Sequence, residues 1–159
     1  MNPKKNLPLV TIITIVHNNV KTIRTAVQSV AHQSYENIEH IVIDNCSNDG
    51  TLEAIYQQEN DISLIISEPD DGIYHALNKG IKLANGKIVG FLNSDDVLKN
   101  RNTITTIVQN LMAEDNEAVY GDLQYFSKLH QNRIIRSWKS NKYTSKNFRQ
   151  GWMPPHPTF

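Results

Sequence analysis

Two carboxylates stand side by side at Asp95 and Asp96, where the apolar run of "FLNSDDVLKN" ends. Adjacent like charges disfavour each other's ionisation, so the pair asks for a cation or a turn to receive it. Hard carboxylate oxygens after a strand suit Mg2+ or Mn2+, which take few protein ligands and fill their shell with water and substrate phosphates. A helix N-cap is the competing use, and on these residues alone the two stand even. Asp96 could coordinate a metal while Asp95 reaches a ribose hydroxyl. In "IDNCSNDG", Asp44 and Asn45 could accept from a base N–H or a ribose hydroxyl, although an Asx-turn explains them more simply. Asp49-Gly50-Thr51 reads as the cap of the next helix. Asp70 and Asp71 in "EPDDGIYHALNKG" precede another helix start, as caps or as acceptors for sugar hydroxyls. Further along that helix, Asn78 or Lys79 could face a nucleotide, a solvated surface being favoured for Lys79. His75 reads as a packed or solvent-edge histidine. His17 could stack its ring on a base.

These clusters need a frame, and the periodicities supply one. "LVTIITIV" is a continuous β-branched run, expected of a strand buried on both faces. Ile23, Ala26, Val27, Val30 and Ala31 then fall at helical spacing. "IEHIVIDN" reads as a second strand, "TLEAIYQQ" as a helix, and "SLIISE" as a third strand stopped by Pro69. Ile73, Ala76, Leu77, Gly80, Ile81 and Ala84 share a helical face, with Gly86 as its C-terminal cap. "KIVGFLNS" is the fourth strand, and Ile104, Ile107, Val108 and Leu111 mark the next helix. Four strand-then-helix units predict an α/β parallel sheet with helices on both faces and ligands at the carboxyl ends of its strands. From Ala118 the pattern changes: "AVYGDLQYF" and "RIIRSWK" read as two strands joined by a turn, and "GWMPPHPTF" as an extended, proline-braced segment.

Composition bounds the function. The 159 residues suffice for one domain with a real core, and sixteen basic and sixteen acidic side chains cancel. No overall field recruits nucleic acid or an anionic membrane. The cations after Lys128 (Arg133, Arg136, Lys139, Lys142, Lys146 and Arg149) read as a solvated face rather than a patch for phosphates or lipid head groups. A single thiol, Cys46, excludes internal disulfides, fits a reducing cytoplasm and reads as a small buried filler. No stretch approaches the roughly 20 apolar residues of a membrane span.

Taken in order, "VTIITIVHNN", "SVAHQSYENIEHIVIDNCSNDGT", "SEPDDGIYHALNKGIKLANGKIVGFLNSDD" and "VYGD" resemble family 2 glycosyltransferases of bacterial surface-polysaccharide biosynthesis. The resemblance implies the GT-A fold, a Rossmann-like parallel-sheet sandwich for nucleotide-diphospho-sugars. It implies a single domain over 1–159, with a donor-binding part at about 7–115 and the start of an acceptor-side part at about 116–159. The implied reaction inverts the sugar of a nucleotide-diphosphate donor, expected to be a UDP-sugar, onto a saccharide or lipid-linked acceptor. By position, Asp96 is the metal ligand, with Asp95 at the ribose or the metal, and the cofactor is Mn2+ or Mg2+. Asp44 and Asn45 contact the uracil or ribose, Ile15 and His17 line the base pocket, and Gly72 and Asn78 approach the diphosphate and donor sugar. The sequence departs from the family at Asn45 and Cys46, where relatives often carry glycine or aspartate, and at His75, commonly acidic. Relatives also continue past "PPHPTF" into a region bearing an acidic residue suited to be the base. The catalytic base is therefore expected beyond Phe159, with Asp122 as a weak candidate, and this chain is expected to bind donor but transfer sugar poorly. His156 could touch diphosphate or acceptor, bracing of its segment being favoured. The resemblance places the protein in the cytoplasm, at the inner face of the plasma membrane, which the basic tail could approach. A non-catalytic nucleotide-sugar-binding fragment or assembly-complex component is the alternative. Haloacid-type phosphatases and receiver domains are disfavoured because their early acidic residues are absent. Nucleotidyltransferases want a glycine-rich loop that "VHNNVKT" lacks.

Overall fold

The β-branched run forms the centre of the molecule. In the computed structural model, which describes residues 7–113, 116–127, 133–140 and 142–151, strand β1 spans Val10–Val16 and is buried along nearly its whole length. Parallel neighbours flank it on both edges: β2 (Ile38–Asp44) on one side and β4 (Ile88–Phe91) on the other. Strand β3 (Leu64–Ser67) pairs outside β2, giving the order β3-β2-β1-β4.

Helices α1 (Ile23–Ala31), α2 (Thr51–Tyr56), α3 (Ile73–Leu83) and α4 (Thr103–Ala113) follow the four strands, as the alternating periodicities require. A 3-10 turn at Glu59–Asp61 was not anticipated. The register places Val10, Ile12 and Val16 with Val42 on one face, under α1, α2 and α4. Ile41 and Ile43 face the other way, where α3 covers them with Ala76. A lone helix cannot bury its whole stripe, so Ile73 and Ile81, expected in the core, are exposed.

Two glycines of α3 and its exit show close packing. A Cβ on Gly80 would lie 2.5 Å from Ile13 Cγ2. Gly86 is not the helix cap that the sequence suggested: α3 is capped by Ala84 in an extended conformation. Instead Gly86 lets the chain pass against β1, where a Cβ would meet the Thr11 backbone nitrogen at 2.6 Å and its amide donates to Thr11 Oγ1 at 2.9 Å. Cys46 also departs from expectation. The chain turns directly after β2, placing Cys46 in the left-handed region at φ 47° and exposing its thiol.

The later strands form a separate antiparallel hairpin, β5 (Leu123–Phe126) with β6 (Ile134–Trp138), with a register irregularity at Tyr125/Phe126. A short helix, α5 (Ser145–Arg149), follows, which the sequence did not signal. The proline-braced segment with His156, the hairpin turn and Lys128 lie outside the described residues.

Candidate functional site

The strand order reverses between β1 and β4, because the chain first builds outward through β2 and β3 and then returns to the far side of β1. In an open parallel sheet, ligands collect at such a reversal, in the crevice beyond the carboxyl ends of the strands. A cavity of about 350 Å³ occupies that position, lined by residues at or just beyond all four strand ends, among them Ile15, His17, Asn45, Asp70, Gly72 and Asp95.

At the end of β1, Asn18 takes a left-handed backbone (φ 49°), which an asparagine tolerates. Its Oδ1 accepts from the Asn48 amide at 2.9 Å, and its own amide donates to Ser47 Oγ at 2.8 Å. His17 is held beside it. Its Nδ1 lies 2.8 Å from the Asn45 carbonyl, an acceptor, so Nδ1 carries the hydrogen. Nε2 is then the acceptor for Asn18 Nδ2 at 3.2 Å. These bonds fix the plane of an exposed ring at the cavity wall.

At the end of β2, Asp44 is fully buried and does not line the cavity. Its Oδ2 accepts from Ser67 Oγ at 2.6 Å and from the Ser47 amide at 3.1 Å, while Oδ1 finds no partner among the described residues. Asn45 does line the cavity. Its Oδ1 accepts from the Asp70 amide at 2.9 Å, so the β2 turn is tied to the loop before α3. Asp49 braces the turn rather than capping α2 directly: Gly50 is the cap, and Asp49 accepts from the Thr51 amide and from Val20.

Before α3, Asp70 Oδ1 accepts from the Gly72 amide at 2.8 Å. Gly72 stands at φ 107°, ψ 177°, which essentially only glycine adopts, at the entry to α3. Ile73 and Ala76 line the wall beside it. Asn78, two residues past Ala76, lies about 200° further round the helix and outside the lining. Lys79 is not a solvated surface lysine, because its Nζ pairs with Glu68 Oε1 at 2.6 Å. That hydrogen bond and charge hold the Glu68 carboxyl below its usual range. The exposed His75 accepts the Asp71 amide on Nδ1 at 3.1 Å, a local brace for the helix start.

After β4 the two aspartates occupy a turn, not a helix cap. The Asp96 amide donates to the Asn93 carbonyl at 3.0 Å, and α4 begins only at Thr103. Capping therefore no longer competes with a metal. Asp95 is exposed and lines the cavity, while Asp96, next to it, is half-buried and outside the lining. Asn93 Nδ2 donates to Asp96 Oδ2 at 3.2 Å. The turn is anchored to the loop after β1, with Asn19 Nδ2 donating to Ser94 Oγ at 2.9 Å and Thr22 Oγ1 to the Ser94 carbonyl at 2.8 Å. This cross-link escaped the sequence reading, since nothing in the spacing of residues so far apart marks it. Among the described residues no three His, Cys, Asp or Glu side chains gather to hold a metal. Two carboxylates with positions left open suit a cation that completes its shell from water and phosphate. Asp122 lies elsewhere, on the hairpin, accepting from the Ser140 amide and hydroxyl, both at 2.9 Å. Those two bonds lower its proton affinity.

A reversed parallel sheet with acidic and amide side chains at its carboxyl ends fits the GT-A fold of nucleotide-sugar transferases, and the solved structures show that fold. A mannosyltransferase from Pyrobaculum calidifontis, solved with GDP-mannose and Mn2+, superposes with a TM-score of 0.68 at 27% identity, over 76% of this chain and 37% of that one. TarS from Staphylococcus aureus, solved with UDP-GlcNAc, gives 0.66 at 25% identity over 70% of this chain and 33% of the other. The glycosyl transferase family 2 model matches residues 11–157, and the chain belongs to that family. Among curated relatives, a putative teichuronic acid biosynthesis glycosyltransferase of Bacillus subtilis is 39% identical over 95 residues, 58% of this chain and 38% of its own length. A UDP-glucose:GlcNAc-diphosphoundecaprenol β-1,3-glucosyltransferase of Escherichia coli is 28% identical over 141 residues, 81% of this chain and 56% of its own. The chain spans about two fifths of the first curated relatives that it matches.

Proposed function

We propose that this chain is the donor-binding part of an inverting glycosyltransferase of polysaccharide biosynthesis. The crevice between β1 and β4 takes a nucleotide-diphosphate sugar, a UDP-sugar first among candidates, for transfer to a saccharide or lipid-linked acceptor. One observation carries the reading: among the described residues, the cavity lining holds the carboxylates of Asp70 and Asp95 but no lysine or arginine. A dianionic diphosphate does not settle against carboxylates alone, so a divalent cation must come between them. Asp96 and Asp95 hold that Mn2+ or Mg2+, which supplies positive charge against the leaving diphosphate. The structural neighbour solved with GDP-mannose and Mn2+ supports a divalent metal here, and the one solved with UDP-GlcNAc supports a nucleotide-sugar donor.

His17 presents its ring to the base, with Ile15 as the apolar floor. Asn45, its oxygen occupied by Asp70, offers its amide N–H to base or ribose, while Asp44 holds the turn from behind with one oxygen left to accept. Asp95 serves the ribose as well as the metal. Gly72 brings the α3 amides to the diphosphate, where the helix dipole favours negative charge. The general base belongs to residues other than Asp122, whose carboxylate is already stabilised by Ser140. Residues from about 116 onward form the acceptor side, and the enzyme works in the cytoplasm, at the inner membrane face. No helix among the described residues is long and apolar enough to cross a membrane.

Calorimetric titration of UDP with and without Mn2+ tests the assignment. The Asp96→Ala chain should lose metal-dependent nucleotide binding while keeping its circular dichroism and melting temperature. Unchanged affinity in that variant refutes the assignment.

A further inference from the structure

The zero net charge conceals a segregation. All sixteen carboxylates lie at or before Asp122, against nine lysines and arginines, so residues 1–122 carry −7. Residues 123–159 carry seven cations and no acid, +7. Six of those cations are described: Arg133, Arg136, Lys139, Lys142, Lys146 and Arg149. All six are exposed, and none forms an ion pair with a described carboxylate.

Apolar surface is interleaved with this charge. Tyr125, Phe126, Ile134, Ile135 and Trp138 are each more than a third exposed, all on the β5–β6 hairpin. Tyr125 pairs with Arg136 and Leu123 with Trp138, which puts the rings and the guanidinium on one face. The Arg136 guanidinium lies 5.8 Å from the Tyr125 ring centre and 5.5 Å from that of Trp138. A two-stranded ribbon with this much exposed apolar surface wants a covering. A dry protein partner would have to strip water from Arg136 to reach the rings beside it, a costly step without a carboxylate in return. The interfacial zone of an anionic bilayer sets no such condition. Rings and aliphatic side chains enter at the depth of the head groups, and the cations stay hydrated against phosphate. The charge segregation adds direction, since the −7 part is repelled by the surface that attracts the +7 part.

We propose that the β5–β6 hairpin and the basic stretch after it are a docking surface for an anionic phospholipid bilayer. The inference is independent of the donor site and is read without nucleotide. Co-sedimentation of the chain with vesicles of phosphatidylcholine, alone or mixed with phosphatidylglycerol, tests it. Binding should require the anionic lipid and fall as salt rises. Arg136→Ser with Lys139→Ser should weaken it roughly thirtyfold, the loss expected for two cations at a charged surface, with the melting temperature retained. In a Trp152→Phe chain, where Trp138 is the remaining tryptophan, its emission should shift to the blue on anionic vesicles and not on neutral ones. Equal binding to neutral vesicles, or no shift at Trp138, overturns the proposal. So does equal displacement by single-stranded DNA, which would mark a generic polyanion surface, or a dimer in sedimentation equilibrium that buries Trp138.

Discussion

Asn93 contacts no metal under this reading, yet it sets how Asp96 can hold one. Its amide donates to Asp96 Oδ2, and its carbonyl takes the Asp96 N–H, so one residue fixes both the side chain and the backbone of the proposed ligand. Partners of this kind orient a ligand, and removing one typically costs about ten- to a hundredfold in metal affinity. Asn93→Ala should therefore weaken Mn2+ affinity by about tenfold or more, measured by calorimetry, while UDP binding recovers as Mn2+ is raised. Wild-type Mn2+ affinity in that variant would remove Asn93 from the site. At this scale the sequence was legible in residue type and poorly legible in orientation. Asp95 and Asp96 ask, by their adjacency, for a cation or a turn. Nothing in "NSDD" says that the pair closes a turn instead of a helix cap, because that depends on where α4 begins. Cys46 misleads for a similar reason: a small apolar side chain after a strand reads as core until its backbone is seen to be left-handed.

At the scale of elements, the four strand-and-helix units were readable because burial imposes different periods on strand and helix. How closely they approach was not. Gly80 in α3 looks like a weak point, since alanine gains about 1 kcal/mol over glycine in a helix interior. Here the added methyl would sit 2.5 Å from Ile13 Cγ2 and 3.1 Å from its Cδ1. Ile13 is fully buried in the central strand, so it has no room to withdraw. Overpacking of this kind costs about 1–3 kcal/mol. Packing should outweigh propensity, and Gly80→Ala should lower the urea midpoint by a net loss of up to about 2 kcal/mol. A higher midpoint would mean that α3 shifts freely over β1. A Cβ on Gly86 would meet two backbone atoms as well as the Thr11 hydroxyl, and backbone cannot withdraw, so the same substitution there should cost more.

The whole molecule carries a pH dependence that no local pattern shows. His40 looks like a surface residue in an alternating strand, but the register faces it inward, beside Thr14, where its Nε2 lies 3.0 Å from Thr14 Oγ1. It is fully buried, and desolvation of the charged form pushes its pKa down to about 4. Glu36 and Asp61 line the same small cavity of about 160 Å³, but both are exposed, so water screens the attraction that would favour the imidazolium. The unfolded chain binds a proton here near the ordinary value of about 6.5, while the folded chain resists until about pH 4. Between those values the unfolded state holds more protons, so stability is complete above the upper value and falls as the pH drops towards the lower one. The loss reaches about 3 kcal/mol, a large share of the 5–15 kcal/mol typical of a domain. His40→Gln keeps a partner for Thr14 and removes the titration. Its stability at neutral pH should be lower than that of the wild-type chain, and the gap should close or reverse as the pH falls from 7 to 4. Parallel denaturation curves across that range would show that His40 is already open to water in the folded state.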